Sequence, residues 1–151
     1  MCRLVLTARR AKQLEEVVAE CTAAGCEAIA VEADVGVYEQ CKKVIDSAIS
    51  RFGRIDALIL NAGISMSDLF EDLTDAKSVF EQIMQTNFYQ VVYMSELALP
   101  HLKATKGRIV GISTLAALAN LPGRSGIVLL YRIFFYSPLF IVCLACSVCR
   151  I

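Results

Sequence analysis

Several small groups of polar residues sit where an apolar chain would offer them to a ligand. Arg9-Arg10 follows the apolar run Arg3–Thr7, Asp34 stands just after Glu27–Glu32, and Asn61-Ala62-Gly63 ends the run Ala57–Leu60. Asn61 carries both a donor and an acceptor, and Ala62 and Gly63 let a ligand come close to the backbone. Taken alone, Asn-Ala-Gly is equally a plain strand-to-loop turn. Ser113 and Thr114 place two hydroxyls after a fourth run, Arg108–Ile112. Asn87 is different, because it falls inside the apolar stripe Phe80, Ile83, Met84, Val91, Met94. Burying an unsatisfied amide costs about 1–3 kcal/mol, so Asn87 requires a partner. That partner is either a neighbouring backbone group or an ordered water leading into a site. His101, the only histidine, lies beside Pro100 with no evident nucleophile or ligand, and is given no role.

These groups share one edge only if the apolar runs are strands of a single parallel sheet. The pattern between them is helical. Leu14, Val17, Val18 and Cys21 recur on one face of Ala11–Ala24, and Gly25 marks its end. Cys41, Val44, Ile45 and Ala48 do the same over Tyr38–Phe52, before Gly53. A long helix is expected from about Asp75 to Ala104, and Lys106-Gly107 turns from it into the fourth strand. Strand and helix alternate with crossovers long enough for parallel pairing, which implies an α/β, doubly wound architecture. Ala57–Leu60 reads as a strand buried on both faces. In such sheets ligands lie outside the carboxyl ends of the strands. In a dinucleotide-binding fold, a residue in the position of Arg9 or Arg10 meets the adenosine ribose, and an arginine there suits a 2′-phosphate. The alternative is a pair of solvated charges near a helix start, disfavoured by the macrodipole. Asp34 would accept from an adenine amino group or cap the helix that follows.

The bulk numbers fit one domain. The chain has 151 residues, with 15 Lys+Arg against 15 Asp+Glu. That balance argues against a nucleic-acid binder, which normally shows a basic excess. Cys2, Cys21, Cys26 and Cys41 show no metal-type pairing and read as small buried hydrophobes of an intracellular, reducing compartment. Cys143, Cys146 and Cys149 lack neighbouring His or Asp, so no metal is expected there. The hydrophobic content of 56% is high, and the excess lies mostly at the C-terminus.

With these pieces in place, residues 1–126 resemble the short-chain dehydrogenase/reductase family. The resemblance rests on Leu4–Arg10, Ala33-Asp34-Val35, Phe52–Gly63, Asn87 within Met84–Phe88, and the run GRIVGISTLAALANLPGRSG from Gly107 to Gly126. It implies an incomplete doubly wound (Rossmann-like) parallel sheet flanked by helices, followed by an apolar C-terminal tail over 127–151. By the same resemblance, Arg9 or Arg10 implies NADP(H) in preference to NAD(H). Asp34 and Val35 would hold the adenine, and Asn61, Ala62 and Gly63 would line the cofactor. Asn87 would hold a proton-relay water. Thr114, with Ser113 as the neighbouring candidate, would hydrogen-bond the oxygen of a small carbonyl or alcohol substrate. Residues 75–104 correspond to the surface through which the family forms oligomers.

Two departures stand out. The family opens with a strand and a glycine-rich turn that binds the pyrophosphate. Here the sequence starts one strand later. The missing strand would lie between the Arg3–Thr7 and Ala57–Leu60 strands, so these two must close up or another segment must fill the slot. The second departure is chemical. The family's tyrosine proton donor falls on Ile127, and the lysine that assists it falls on Tyr131. Isoleucine cannot donate a proton, and Tyr131 is about 6 Å too far along if that segment is helical. No lysine follows Lys106, and Arg132 stays charged. The chain is therefore expected to be catalytically inactive. Residues 133–149 carry no charge but sit at the short end of the roughly 17–25 residues of a membrane helix, with Pro138 inside. Out-of-frame or intron-derived sequence is the favoured reading of the tail. A membrane-associated segment and a substitute strand for the sheet are the alternatives.

Overall fold

The computed structural model describes residues 1–65, 68–114 and 140–145. Strand β1 (Arg3–Ala8) is followed by α1 (Ala11–Ala23), β2 (Glu27–Glu32) and α2 (Tyr38–Phe52). Then come β3 (Ala57–Leu60), a 3-10 turn at Phe70–Asp72, and the long helix. That helix consists of α3 (Ala76–Met84), a π-helical segment (Gln85–Tyr89) and α4 (Gln90–Thr105). β4 (Arg108–Thr114) and β5 (Phe140–Ala145) complete the described elements. The α/β architecture is as expected, and all strand pairs are parallel.

The helices form where the apolar periodicity places them. In α2 the buried residues are Cys41, Val44, Ile45 and Ala48, the stripe read from the sequence. α3 starts at Asp75, whose carboxylate accepts from the Ser78 amide at 3.0 Å and satisfies one of the free donors of the first turn. α4 buries Val91, Met94, Ala98 and Leu102. These faces meet Val31, Leu58, Leu60 and Ile109 of the strands in one continuous core. Ile83 anchors a smaller cluster with Ile64, Leu73, Phe80 and Phe88.

The sheet is split. β1 pairs with β2, and β3 pairs with β4, but among the described residues β1 and β3 do not pair with each other. The two strands have not paired, and no described strand pairs with both. The tail does supply a strand, though not for that slot: β5 joins β4 on the side away from β3, with Ile109 opposite Phe140 and Thr114 opposite Ala145. Within 133–149, residues 140–145 are thus strand, and no described helix is long and apolar enough to cross a membrane.

Two expectations need correction. β3 is buried on one face only: Leu58 and Leu60 are covered, whereas Ile59 is 64% exposed. The core helices lie against the first face, and the described residues place nothing comparable on the second. Among Cys2, Cys21, Cys26 and Cys41, only Cys41 is a buried hydrophobe. Cys2 is exposed and the other two are half-buried, because they lie at the rim where α1 turns into β2.

Candidate functional site

The carboxyl ends of β1, β2 and β3 bring several of the expected residues to one edge. Past β1, the Arg9 guanidinium lies 4.0 Å from the Asp34 carboxylate, the arginine exposed and the aspartate half-buried. Pairs of this kind contribute little to stability, so the juxtaposition matters for what it presents. Arg10, also exposed, stands at the start of α1, which has no acidic residue in its first turn.

Asp34 does not cap α2. The capping position is Val37, without a side-chain bond. Instead Asp34 Oδ1 accepts from the Gly36 amide at 2.9 Å, forming a local turn, and Oδ2 faces Arg9. At Gly36 the space is tight, since a Cβ would lie 3.2 Å from both Asp34 Oδ1 and Gln85 Cγ. Val35 is buried, and its carbonyl accepts from Cys41 Sγ at 3.0 Å.

Asn61, Ala62 and Gly63 are exposed beyond β3 and present open backbone. The loop is held from the long helix. Gln90 Nε2 donates to the Ala62 carbonyl at 2.8 Å. Asn87 Oδ1 accepts from the Ile64 amide at 2.8 Å, and Asn87 Nδ2 donates to the Ile64 carbonyl at 2.8 Å. Gln85 Nε2 donates to the Gly36 carbonyl. Three side-chain amides around one π-helical segment thus tie down the loops after both β2 and β3. Such segments widen the helix by one residue per turn and recur at functional positions. Asn87 finds the neighbouring backbone partner that was one of its two expected solutions. Gln85 and Gln90 were not singled out from the sequence, although Asn87 and Gln90, three apart inside an apolar stretch, share a helix face.

At the end of β4, Ser113 is buried at 7% exposure and its Oγ has no hydrogen-bond partner among the described residues. Thr114 ends the same strand, opposite Ala145; its side chain, like Ile127 and Tyr131, lies outside the described residues.

Comparison with known proteins matches this arrangement. Residues 1–126 match the family model described as short chain dehydrogenase. The 11-beta-hydroxysteroid dehydrogenase-like 4A of Arabidopsis thaliana is 41% identical over 123 residues, which is 81% of this chain and 41% of that protein. The 11-beta-hydroxysteroid dehydrogenase A of Sesamum indicum is 38% identical over 123 residues, covering 81% and 35% respectively. The chain thus spans about two fifths of the length of the relatives it matches. Among solved structures, an alcohol dehydrogenase from Thermococcus sibiricus complexed with 5-hydroxy-NADP superposes with a TM-score of 0.85 at 24% identity. That match covers 97% of this chain and 66% of that one. NADH-dependent reductase A1-R′ complexed with NAD gives 0.78 at 18% identity, covering 94% and 66%. At these identities the two structures speak for the fold.

Proposed function

This chain belongs to the short chain dehydrogenase family, and on that premise we propose that it keeps the adenosine side of an NADP(H) site while lacking the proton donor for turnover. The observation that carries the reading is the Arg9–Asp34 pair at the sheet edge, with Arg9 exposed, set beside an isoleucine at position 127 where the family motif has its tyrosine.

The residues present fit the adenosine and 2′-phosphate side of a phosphorylated dinucleotide, and the glycine-rich turn for its pyrophosphate is not among them. Arg9, with Arg10 beside it, would meet the 2′-phosphate through a charge-assisted hydrogen bond. Asp34 and Val35 would border the adenine, and Asn61, Ala62 and Gly63 would line the cofactor with accessible backbone. When bound, NADP(H) supplies a hydride donor or acceptor for a small carbonyl or alcohol. Thr114, or Ser113 in its place, would polarise the substrate oxygen. Beyond its two bonds to Ile64, Asn87 keeps one amide hydrogen and one lone pair, the groups that a relay water would use. The tyrosine position holds Ile127 and the lysine position holds Tyr131, so the motif's paired phenol and ammonium are missing and carbonyl reduction is not expected to turn over.

The test is direct. NADPH and NADH are titrated into the purified chain by nicotinamide fluorescence, and carbonyl reduction is followed by absorbance. Binding that favours NADPH and loses that preference in Arg9→Ala, without turnover, is the expected result. Turnover abolished by Thr114→Ala would overturn the inactive reading, and equal binding of both cofactors would overturn the NADP(H) assignment.

A second reading has its own observation. Tyr89 and Val92 on the long helix are 41% and 42% exposed, and Tyr38 on α2 is 36% exposed. Tyr93 stacks on Tyr89 at 5.9 Å and meets Tyr38 edge-on at 5.3 Å, giving a rigid aromatic surface. Through residues 75–104 the chain would bind a second copy or a full-length relative. Sedimentation of the chain beside Val92→Lys tests this: a dimer dispersed by the lysine supports it, and a wild-type monomer that captures no relative defeats it.

A further inference from the structure

We propose that Cys2 and Cys26 form a reversible, oxidant-reactive dithiol at the amino-terminal ends of β1 and β2. This modification site is separate from the nucleotide edge at the other end of the same strands. The β1–β2 register aligns Arg3 with Glu27 and runs without interruption to Ala8 and Glu32. One step back along that register sets Cys2 beside Cys26. The pairing reaches that far, because the Glu27 amide donates to the Cys2 carbonyl at 2.9 Å.

Neighbouring strands lie about 4.7–4.9 Å apart, inside the roughly 4.4–6.8 Å Cα separation that a disulfide spans. Residues aligned across a pair of strands also project to the same face. Both thiols are free, with Cys2 exposed and Cys26 half-buried. Burial raises the Cys26 pKa, and the nearby Cys2 thiol raises it further, with a smaller effect from Cys21. Cys21 is the competing partner, since its carbonyl accepts from the Cys26 amide at 3.0 Å. It belongs to α1, however, and has no place in the strand register.

The chemistry follows from that placement. The Cys2 thiolate, in solvent, attacks hydrogen peroxide; the O–O bond breaks, a sulfenic acid forms, and one water leaves after protonation. The Cys26 sulfur then attacks the Cys2 sulfur. The S–O bond breaks, the S–S bond forms, and a second water departs carrying the thiol proton. In sum, two thiols are oxidised and one peroxide is reduced to two waters. A dithiol reductant reverses the bond by exchange and is itself oxidised.

The full chain is treated with hydrogen peroxide, blocked with N-ethylmaleimide and cleaved with trypsin without reductant. Cleavage after Arg3, Lys12 and Lys42 separates Cys2 from Cys26, so a disulfide joins peptides 1–3 and 13–42. The expected product is that joined pair, released by dithiothreitol. It is absent in Cys2→Ser and Cys26→Ser and retained in Cys21→Ser. No joined pair in the wild type, a pair that survives Cys26→Ser, or a bond confined to 13–42 would each overturn the assignment. Cys2 is exposed, so its serine variant reports on the chemistry and not on folding.

Discussion

Asn87 grips Ile64 at two points: its side-chain oxygen takes the Ile64 amide hydrogen and its nitrogen donates to the Ile64 carbonyl, each at 2.8 Å. A side-chain amide thereby stands in for a neighbouring strand, completing backbone pairing where β3 has already ended. Asn87 is only 3% exposed and Ile64 is half-buried, so the groups it satisfies are partly shielded from water.

Replacing Asn87 with leucine, similar in size, removes both bonds and leaves the Ile64 amide and carbonyl unpaired. Each buried group left unmade costs about 1–3 kcal/mol. Urea unfolding of Asn87→Leu is expected to show a loss of about 2–4 kcal/mol. Asn87→Asp keeps the acceptor for the amide but sets a carboxylate against the Ile64 carbonyl, and should recover little. An unchanged midpoint in both variants would show that the clasp carries no weight.

Gln85 and Gln90 make the same kind of bond from different surroundings, and their effects should differ accordingly. Gln90 is 3% exposed and satisfies the Ala62 carbonyl, whereas Gln85 reaches the Gly36 carbonyl from an exposed position. Gln90→Leu should cost less than about 1.5 kcal/mol, the net worth of one hydrogen bond, because the Ala62 that it serves is exposed to water. Gln85→Leu should cost more, about 1–3 kcal/mol, since Gly36 is buried and its carbonyl is left without a partner. Hydrogen exchange gives the finer check: Gln90→Leu should speed exchange over 61–64, and Gln85→Leu over 34–37.

The elements were legible because their periodicity is local. Cys41, Val44, Ile45 and Ala48 announce a helix face without reference to anything outside α2. The shared edge of Arg9 and Asp34 also followed, since parallel strands align their carboxyl ends. Asn87 was legible as a residue in need of a partner, but Ile64, 23 residues away, was not nameable from spacing. The gap between β1 and β3 followed from the strand that the family places there, but whether the two would pair was not legible, because strand neighbours are set by the whole packing. β5 was legible only as one alternative for the tail: a short apolar run such as Phe140–Ala145 has no period that separates strand from helix.

Gly107 offers a test of how closely α4 passes into β4. Lys106 takes the left-handed conformation (φ 54°) that ends the helix, a role more often given to glycine. The glycine is spent one residue later, where a Cβ would stand 2.6 Å from the Asp56 carbonyl oxygen and 2.7 Å from Leu102 Cδ2. That same Asp56 oxygen accepts from the Arg108 amide at 3.0 Å, at the point where β4 begins to run beside β3. Gly107→Ala must therefore push the two strands apart at their start. A loss of about 1–3 kcal/mol in chemical denaturation is expected. Lys106→Gly should show the opposite sign, by up to about 1 kcal/mol. Equal effects from the two would refute the assignment of the close approach to Gly107.

Cys41 links the core to pH. Its side chain is fully buried and donates to the Val35 carbonyl, and its pKa is raised from 9.0 to about 11. Burial is the main cause, with the negative charge of Asp34 second. The native thiol thus keeps a proton that the unfolded chain surrenders near its ordinary value. Below that value the contribution to stability is complete. As pH rises from about 9 to about 11 the unfolded state ionises first, and the contribution is lost. The difference in melting temperature between the wild type and Cys41→Ala should therefore narrow across this window. At pH 8, iodoacetamide should modify Cys2 readily and spare Cys41 until the chain unfolds, because only the thiolate reacts. Modification of both at one rate, or a constant difference in melting temperature through pH 11, would contradict the assignment.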